Sequence, residues 1–255
     1  MQNCALSELL GGACVDAVPD YFAISEKSPE RIRQRMAIAG PDRKIIQLKL
    51  GSGSQANDVE QLELVLELMN ENQIMLADAN GGWDSQRALE TITAFDDDRI
   101  HWEEPCSNYE DNVGLVNQCG ARVMVDQCVG QRTSVTKAIL EGVVNSVCIK
   151  PAFLGGLSIA RDMLDLCVEH DMQVRIDGPY CTDIANAAIL HLAVGVPAHL
   201  LIASCDLREP LAIEHELNGV IGVSNGIISP PSGPGLGIGA VVGSLGAPES
   251  VYSNT

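Results

Sequence analysis

Basic residues are scarce in this chain: 16 lysines and arginines stand against 34 aspartates and glutamates over 255 residues, a formal net charge of −18. A surface that negative repels phosphate backbones, so nucleic acid is not expected as a partner. Long apolar runs are missing as well. No stretch approaches the ~20 uninterrupted apolar residues that span a bilayer, and no membrane partner is expected. Residues 1–12 carry no basic segment followed by an apolar core, the pattern of a secretory signal. The nine cysteines are scattered from Cys4 to Cys205 without a C-x-x-C pair. An odd, scattered set without a signal peptide points to reduced thiols in the cytoplasm, not to a disulfide framework. Cys128, Cys148 and Cys167 sit among apolar neighbours and read as core-fillers.

What is present is an alternation. Short β-rich runs occur at Tyr21–Ser25, Ile45–Leu50, Ile74–Asp78, Ile100–Glu103, Arg122–Asp126, Ser146–Lys150, Gln173–Asp177 and His199–Ser204. Each is apolar or β-branched almost throughout, as strands covered on both faces should be. Helical patterns lie between them. Asn57–Asn72 places Val59, Leu62, Val65, Leu66 and Met69 at three-and-four spacing, one face of a helix. Asp84–Phe95, Tyr109–Gln118, Thr133–Glu141, Leu157–His170 and Asp183–Val194 behave alike, and Ser28-Pro29-Glu30 and Asp84 carry the chemistry of helix starts. Eight strands interleaved with helices indicate an α/β fold, expected as a closed parallel barrel. The alternative is an open doubly wound sheet. The barrel is preferred because polar residues end so many successive strands, and only in a barrel do those ends converge on one mouth.

Three of these residues are carboxylates: Asp78, Glu103 and Asp126 end the third, fourth and fifth runs. A carboxylate closing an apolar strand calls for a charged partner, and three hard oxygen donors on neighbouring strands suit Mg²⁺ (or Mn²⁺) better than zinc. Two more are lysines, Lys49 ending the second run and Lys150 the sixth. Burial or nearby cations would lower their pKa toward that of a useful base. Flanking a metal from opposite sides of the mouth, one lysine would remove a substrate α-proton while the other faces the opposite side. Read separately, each residue is equally an ordinary loop acid or a snorkelling lysine.

Together these positions resemble the mandelate racemase/muconate lactonizing branch of the enolase superfamily. Its K-x-K motif is matched at Lys49, its D-x-N by Asp78-Ala79-Asn80, its E-x-P by Glu103-Glu104-Pro105 and its D-E by Asp126-Gln127. The strand-six lysine is matched by Lys150, with Gly155-Gly156-Leu157 at the following helix and Gly233 to Gly237 as the closing segment. Lys150 and Asp177, where a His–Asp pair would otherwise stand, make the chain similar to the muconate lactonizing subgroup. The phrases Glu103-Glu104-Pro105-Cys106 and Cys181 to Ala193 resemble its hydroxyproline and proline-betaine members. The resemblance implies a TIM-like (β/α)7β barrel with Lys49 and Lys150 catalytic. It also implies that Asp78, Glu103 and Asp126 bind the metal, with Gln47, Asn80, Gln127 and Asp177 near substrate or ligands. The implied reaction is Mg²⁺-dependent α-proton abstraction from a small carboxylate through an enediolate. Racemisation or epimerisation of a proline-like amino acid is expected first, with dehydration of a hydroxy amino acid such as cis-3-hydroxyproline as the alternative. From other classes, a Schiff-base aldolase using Lys150 and an inactive truncated barrel stay open.

Three departures from the family pattern stand out. Gln47 replaces the first lysine of K-x-K and Gln127 the acid after the third ligand. Residues 1–20 resemble the junction after an N-terminal capping domain, so residues 21–255 are expected to be the catalytic barrel alone, homo-oligomeric when full length. Among weaker signals, Gly51-Ser52-Gly53 lacks the third glycine of a phosphate-binding fingerprint, and Trp83 reads as packing near the metal loop. Cys106 and Cys181 are site-lining candidates without an identifiable base.

Overall fold

Strands that are apolar at every position need cover on both faces, and the chain provides it by placing a helix after nearly every strand. In the computed structural model, which describes residues 3–178, 182–205 and 221–238, eight parallel strands run in sequential order. They are β1 (Phe22–Ile24), β2 (Ile45–Lys49), β3 (Ile74–Asp78), β4 (Ile100–Glu103), β5 (Val123–Val125), β6 (Ser146–Ile149), β7 (Gln173–Ile176) and β8 (Leu201–Ser204). The surrounding helices are α1 (Pro29–Ala39), α2 (Gln55–Leu68), α3 (Ser85–Ala94), α4 (Tyr109–Cys119), α5 (Arg132–Glu141), α6 (Leu157–Glu169) and α7 (Asp183–Ala193). This is the expected TIM-like architecture. Among the described residues no ladder joins β8 to β1. Instead the segment Val18–Pro19, leading into β1, lies beside β8 and pairs antiparallel with Ile227–Ile228.

Local chemistry starts and stops the helices. Ser28, Ser54, Asp84 and Asn108 each accept a backbone N–H of the first turn, satisfying a donor that the helix itself leaves open. α4 and α5 end on Gly120 and Gly142 in the left-handed conformation. The helix over residues 29–39 begins where its capping signal stands, at Ser28.

Alternation along the strands divides the core in two. One face packs against the helices through Ile46, Leu48, Met75, Val123, Val147 and Val174. The other fills the interior with Tyr21, Ala23, Ile45, Leu76, Met124, Cys148 and Ile202. Of the expected core cysteines, Cys148 and Cys167 are buried and Cys128 is half-buried; Cys181 lies outside the described residues. No helix among the described residues is long and apolar enough to cross a membrane.

Candidate active site

Side chains two apart on a strand share a face, so the inward layer of Ile45, Leu76, Met124 and Cys148 sets the direction of the residues beyond it. On that face Gln47 and Lys49 follow Ile45, Asp78 follows Leu76, Asp126 follows Met124, and Lys150 follows Cys148. Parallel register sets Lys49 beside Asp78 and Asp78 beside Glu103. The five polar residues read from the strand ends therefore reach the mouth of the barrel together, as does Asp177 beyond β7.

Each carboxylate meets a cation there. Lys49 Nζ pairs with Asp78 Oδ2, and Lys150 Nζ lies 2.6 Å from Asp126 Oδ2. Gln47, expected near substrate or ligands without the charge of the lysine it replaces, bridges two carboxylates: its Nε2 donates to Glu103 Oε2 at 2.7 Å and to Asp78 Oδ2 at 3.1 Å. Asn80 contributes its backbone N–H, which donates to Asp78 Oδ1 at 2.9 Å. Gln127 is exposed, on the turn Gln127–Val129. Asp177 accepts the Tyr21 hydroxyl at 2.8 Å.

The largest addition to the expected set is Arg175. Its guanidinium, 1% exposed, grips Glu103 with both prongs: Nη1 donates to Oε2 at 2.7 Å and Nη2 to Oε1. Nη2 also lies 3.7 Å from Asp126 Oδ2 and 3.8 Å from Asp177 Oδ2, and the group stacks over the Tyr21 ring at 5.1 Å. Arg175 lies two residues before Asp177 in an apolar strand, so its parity alone aims it into the barrel; that signal was available in the sequence.

Electrostatics correct one expectation. Burial works to lower both lysines, but Asp78 and Glu103 hold Lys49 above its ordinary value, and Cys148 and Asp126 do the same for Lys150. Both stand as ammonium ions at neutral pH. Burial pushes Asp78 up to about 6, helped by the neighbouring Glu103. Glu104, which accepts the Cys128 N–H at 2.6 Å, is pushed by burial to about 7. Ionising Glu104 thus costs the folded chain more than the unfolded one. Its contribution is full below the ordinary carboxylate range and is lost as pH rises toward 7. Between about pH 5 and about pH 8, Glu104→Gln should remove about 2–3 kcal/mol of this pH-dependent loss, measured by urea unfolding at both ends.

The backbone around the mouth is constrained. Asn80, Glu104 and Cys205, just past β3, β4 and β8, have φ of 48°, 43° and 62°, a region non-glycine residues seldom occupy outside functional sites. The loop after Lys49 is clasped by the buried Asp58, which accepts Gly51 N–H at 3.0 Å, Trp83 Nε1 at 2.8 Å and Arg87 Nη2 at 2.6 Å. Trp83 is 3% exposed, the packing role expected of it, and the Gly51 amide is taken by the Asp58 carboxylate. Gly51 has φ +78°, and a Cβ there would land on the carbonyl oxygen of Ala79. Gly51→Ala should cost about 3 kcal/mol or more, read as a lowered urea midpoint at constant slope.

In kind, the donors fit a hard divalent cation: three carboxylates on neighbouring strands, oxygen only. In arrangement they are committed to ion pairs, and among the described residues no three acidic, histidine or cysteine side chains converge as a metal cage.

Comparison with known proteins identifies the fold and the family. The family model described as enolase C-terminal domain-like matches residues 29–240. Cis-3-hydroxy-L-proline dehydratase of Roseibium aggregatum is 29% identical over 249 residues, covering 97% of this chain and 67% of that protein. D-Ala-D/L-Ala epimerase of Cytophaga hutchinsonii is 26% identical, covering 98% and 68%. A crystal structure of an enolase-superfamily member from Roseovarius nubinhibens, complexed with magnesium, superposes with a TM-score of 0.85 at 26% identity, covering 99% and 69%. The chain thus spans about two thirds of the length of each. With eight sequential parallel strands and the expected polar residues at their ends, it belongs to the enolase C-terminal domain-like family, within the mandelate racemase/muconate lactonizing enzymes.

Proposed function

We propose that this chain removes the α-proton of a small carboxylic acid, with Lys49 and Lys150 as the acid/base pair, and that the product is the inverted stereoisomer of a proline-like amino-acid derivative. The observation that carries this reading is the placement of the two lysines. β2 and β6 lie four strands apart in a sequential eight-stranded sheet, so their end residues face each other across the mouth, with Asp78, Glu103 and Asp126 on the strands between. A substrate carbon held between them has one amine on each face, which permits removal of a proton from one side and delivery from the other.

Lys49 and Lys150 divide the task by protonation: the amine that accepts the proton must first be neutral, and the opposite ammonium donates. Because carboxylates hold both amines protonated, turnover should rise toward alkaline pH. Arg175 and Gln47 hold Glu103, and Tyr21 holds Asp177, so the walls of the site are fixed before substrate arrives. Mg²⁺ or Mn²⁺ held by Asp78, Glu103 and Asp126 would supply Lewis-acid charge against the anion formed on deprotonation.

Dehydration is the second reading, favoured by the 29% identity to a cis-3-hydroxy-L-proline dehydratase. With a β-hydroxyl present, the same α-carbanion expels hydroxide. Incubating the chain in D₂O with proline, its N-methylated derivatives and cis-3-hydroxyproline, followed by NMR, tests both. Deuterium at Cα with inversion supports the first reading, and loss of the hydroxyl without inversion supports the second. No exchange into any carboxylate tried would leave an inactive barrel. Borohydride trapping at Lys150 without added metal would point to the aldolase class.

A further inference from the structure

We infer that Arg175 is a resident counter-cation of the mouth, a positioning residue that competes with divalent metal for Glu103 and so sets how tightly the chain binds it. The inference rests on reading Asp78, Glu103 and Asp126 as the donors of that metal. It does not depend on which reaction the site performs.

The geometry is that of a buried salt bridge in which the carboxylate is fully engaged, while Arg175 Nε is buried without a hydrogen-bond partner. Both oxygens of Glu103 are engaged by the two prongs of Arg175, and Gln47 adds a second bond to Oε2. Nη2 leans toward Asp126 and Asp177 and lies 3.4 Å from Cys148 Sγ. A fork of donors matched to a carboxylate is the strongest neutralising contact a protein side chain makes. Four carboxylates thus share three cations at the mouth: Lys49, Lys150 and Arg175. Any metal that takes Glu103 as a ligand must loosen the fork or share the carboxylate with it, next to a positive charge that cannot leave. A guanidinium does not lose its proton in a protein, so that charge stays beside Glu103, Asp126 and Asp177. Lys49 and Lys150 are flexible single-point donors, 32% and 15% exposed, and can swing aside, whereas Arg175 is 1% exposed and packed on Tyr21.

The test is Mn²⁺ binding to the full chain, by calorimetry and by loss of the free-ion EPR signal, for wild type, Arg175→Met and Arg175→Lys. Methionine fills similar volume without charge; lysine keeps the charge but gives up the fork. Expected is Mn²⁺ bound about tenfold or more tighter by the methionine variant than by wild type, because a full charge within ~4 Å of two ligands is gone. The lysine variant should fall between them. Should Arg175→Met need metal to fold, it is refolded with Mn²⁺ present, and wild type against the lysine variant carries the comparison. Equal or weaker binding in both variants overturns the inference, since Arg175 would then be orienting Glu103 for the metal. Binding by none of the three proteins overturns it together with the assignment of the donors.

Discussion

Lys49→Met and Lys150→Met should each lower α-proton exchange about 10²–10⁴-fold, but for opposite stereoisomers of the substrate. Each lysine ends a different strand and meets a different carboxylate, Asp78 for one and Asp126 for the other. A substrate fixed between them shows one face to each amine. Removing one lysine therefore abolishes abstraction from the isomer whose hydrogen points to it, while the other isomer still exchanges at its Cα without being inverted. Following deuterium incorporation separately into the two enantiomers reads this directly. Equal loss for both enantiomers in both variants would sink the two-faced arrangement. Loss of exchange in one variant only, with either enantiomer, would instead leave a single base, the pattern a one-sided elimination needs. Each change also leaves a buried carboxylate, Asp78 or Asp126, without its lysine, so both variants should melt below the parent and exchange is read at a temperature where both stay folded.

Glu103→Ala is expected to be the most destabilising single change at the mouth, by about 3–5 kcal/mol, because it leaves the Arg175 guanidinium buried without its partner. The carboxylate is 0% exposed and is the only group that engages both prongs of Arg175 among the described residues. The pairing itself is worth far less than this figure, since both ions were stripped of water to form it. The double change Glu103→Leu with Arg175→Met separates the two quantities. It should recover most of the loss, to within about 1–2 kcal/mol of wild type. Urea unfolding followed by the fluorescence of the buried Trp83 and Trp102 gives both numbers. If the double variant is no more stable than Glu103→Ala, the cost lies in packing and not in the orphaned charge.

Much of the fold was legible because burial on two faces leaves an unmistakable signal. Ile74–Asp78 and Ile100–Glu103 lie where the apolar runs placed them, and Ile45–Lys49 stops one residue short of the expected Leu50. β1 and β5 to β8 are shorter than read: Ser25, Asp126, Lys150 and Asp177 follow their strands and β8 starts at Leu201 instead of His199, since a chain turning out of the sheet stops pairing before its apolar character ends. The strand-end residues were legible for the same reason, a charge closing an apolar run. Arg175 was passed over because it stands inside its strand and not at the end, where motifs had drawn the reading. Glu104 was seen only as the middle of a motif; its turn into the left-handed region, which gives it a wall of its own, depends on how β4 meets the loop. Gln47 read as a loss of charge, because a bridge between Asp78 and Glu103 depends on inter-strand distances that one strand cannot report.

The antiparallel pair of Val18–Pro19 with Ile227–Ile228 joins segments about 210 residues apart. Such a join waits on synthesis. A chain emerging from the ribosome can assemble β1 through β8 in order, each strand settling on the one before it. The stretch that pairs with the segment leading into β1 arrives only after β8 has been made. Until then the nascent barrel is an incomplete cylinder whose flanks are exposed to other chains. That closure is thus a late event, and premature termination upstream of Ile228 would release a molecule carrying all of Lys49, Asp78, Glu103, Asp126, Lys150 and Arg175 on a sheet whose first strand lacks this tie.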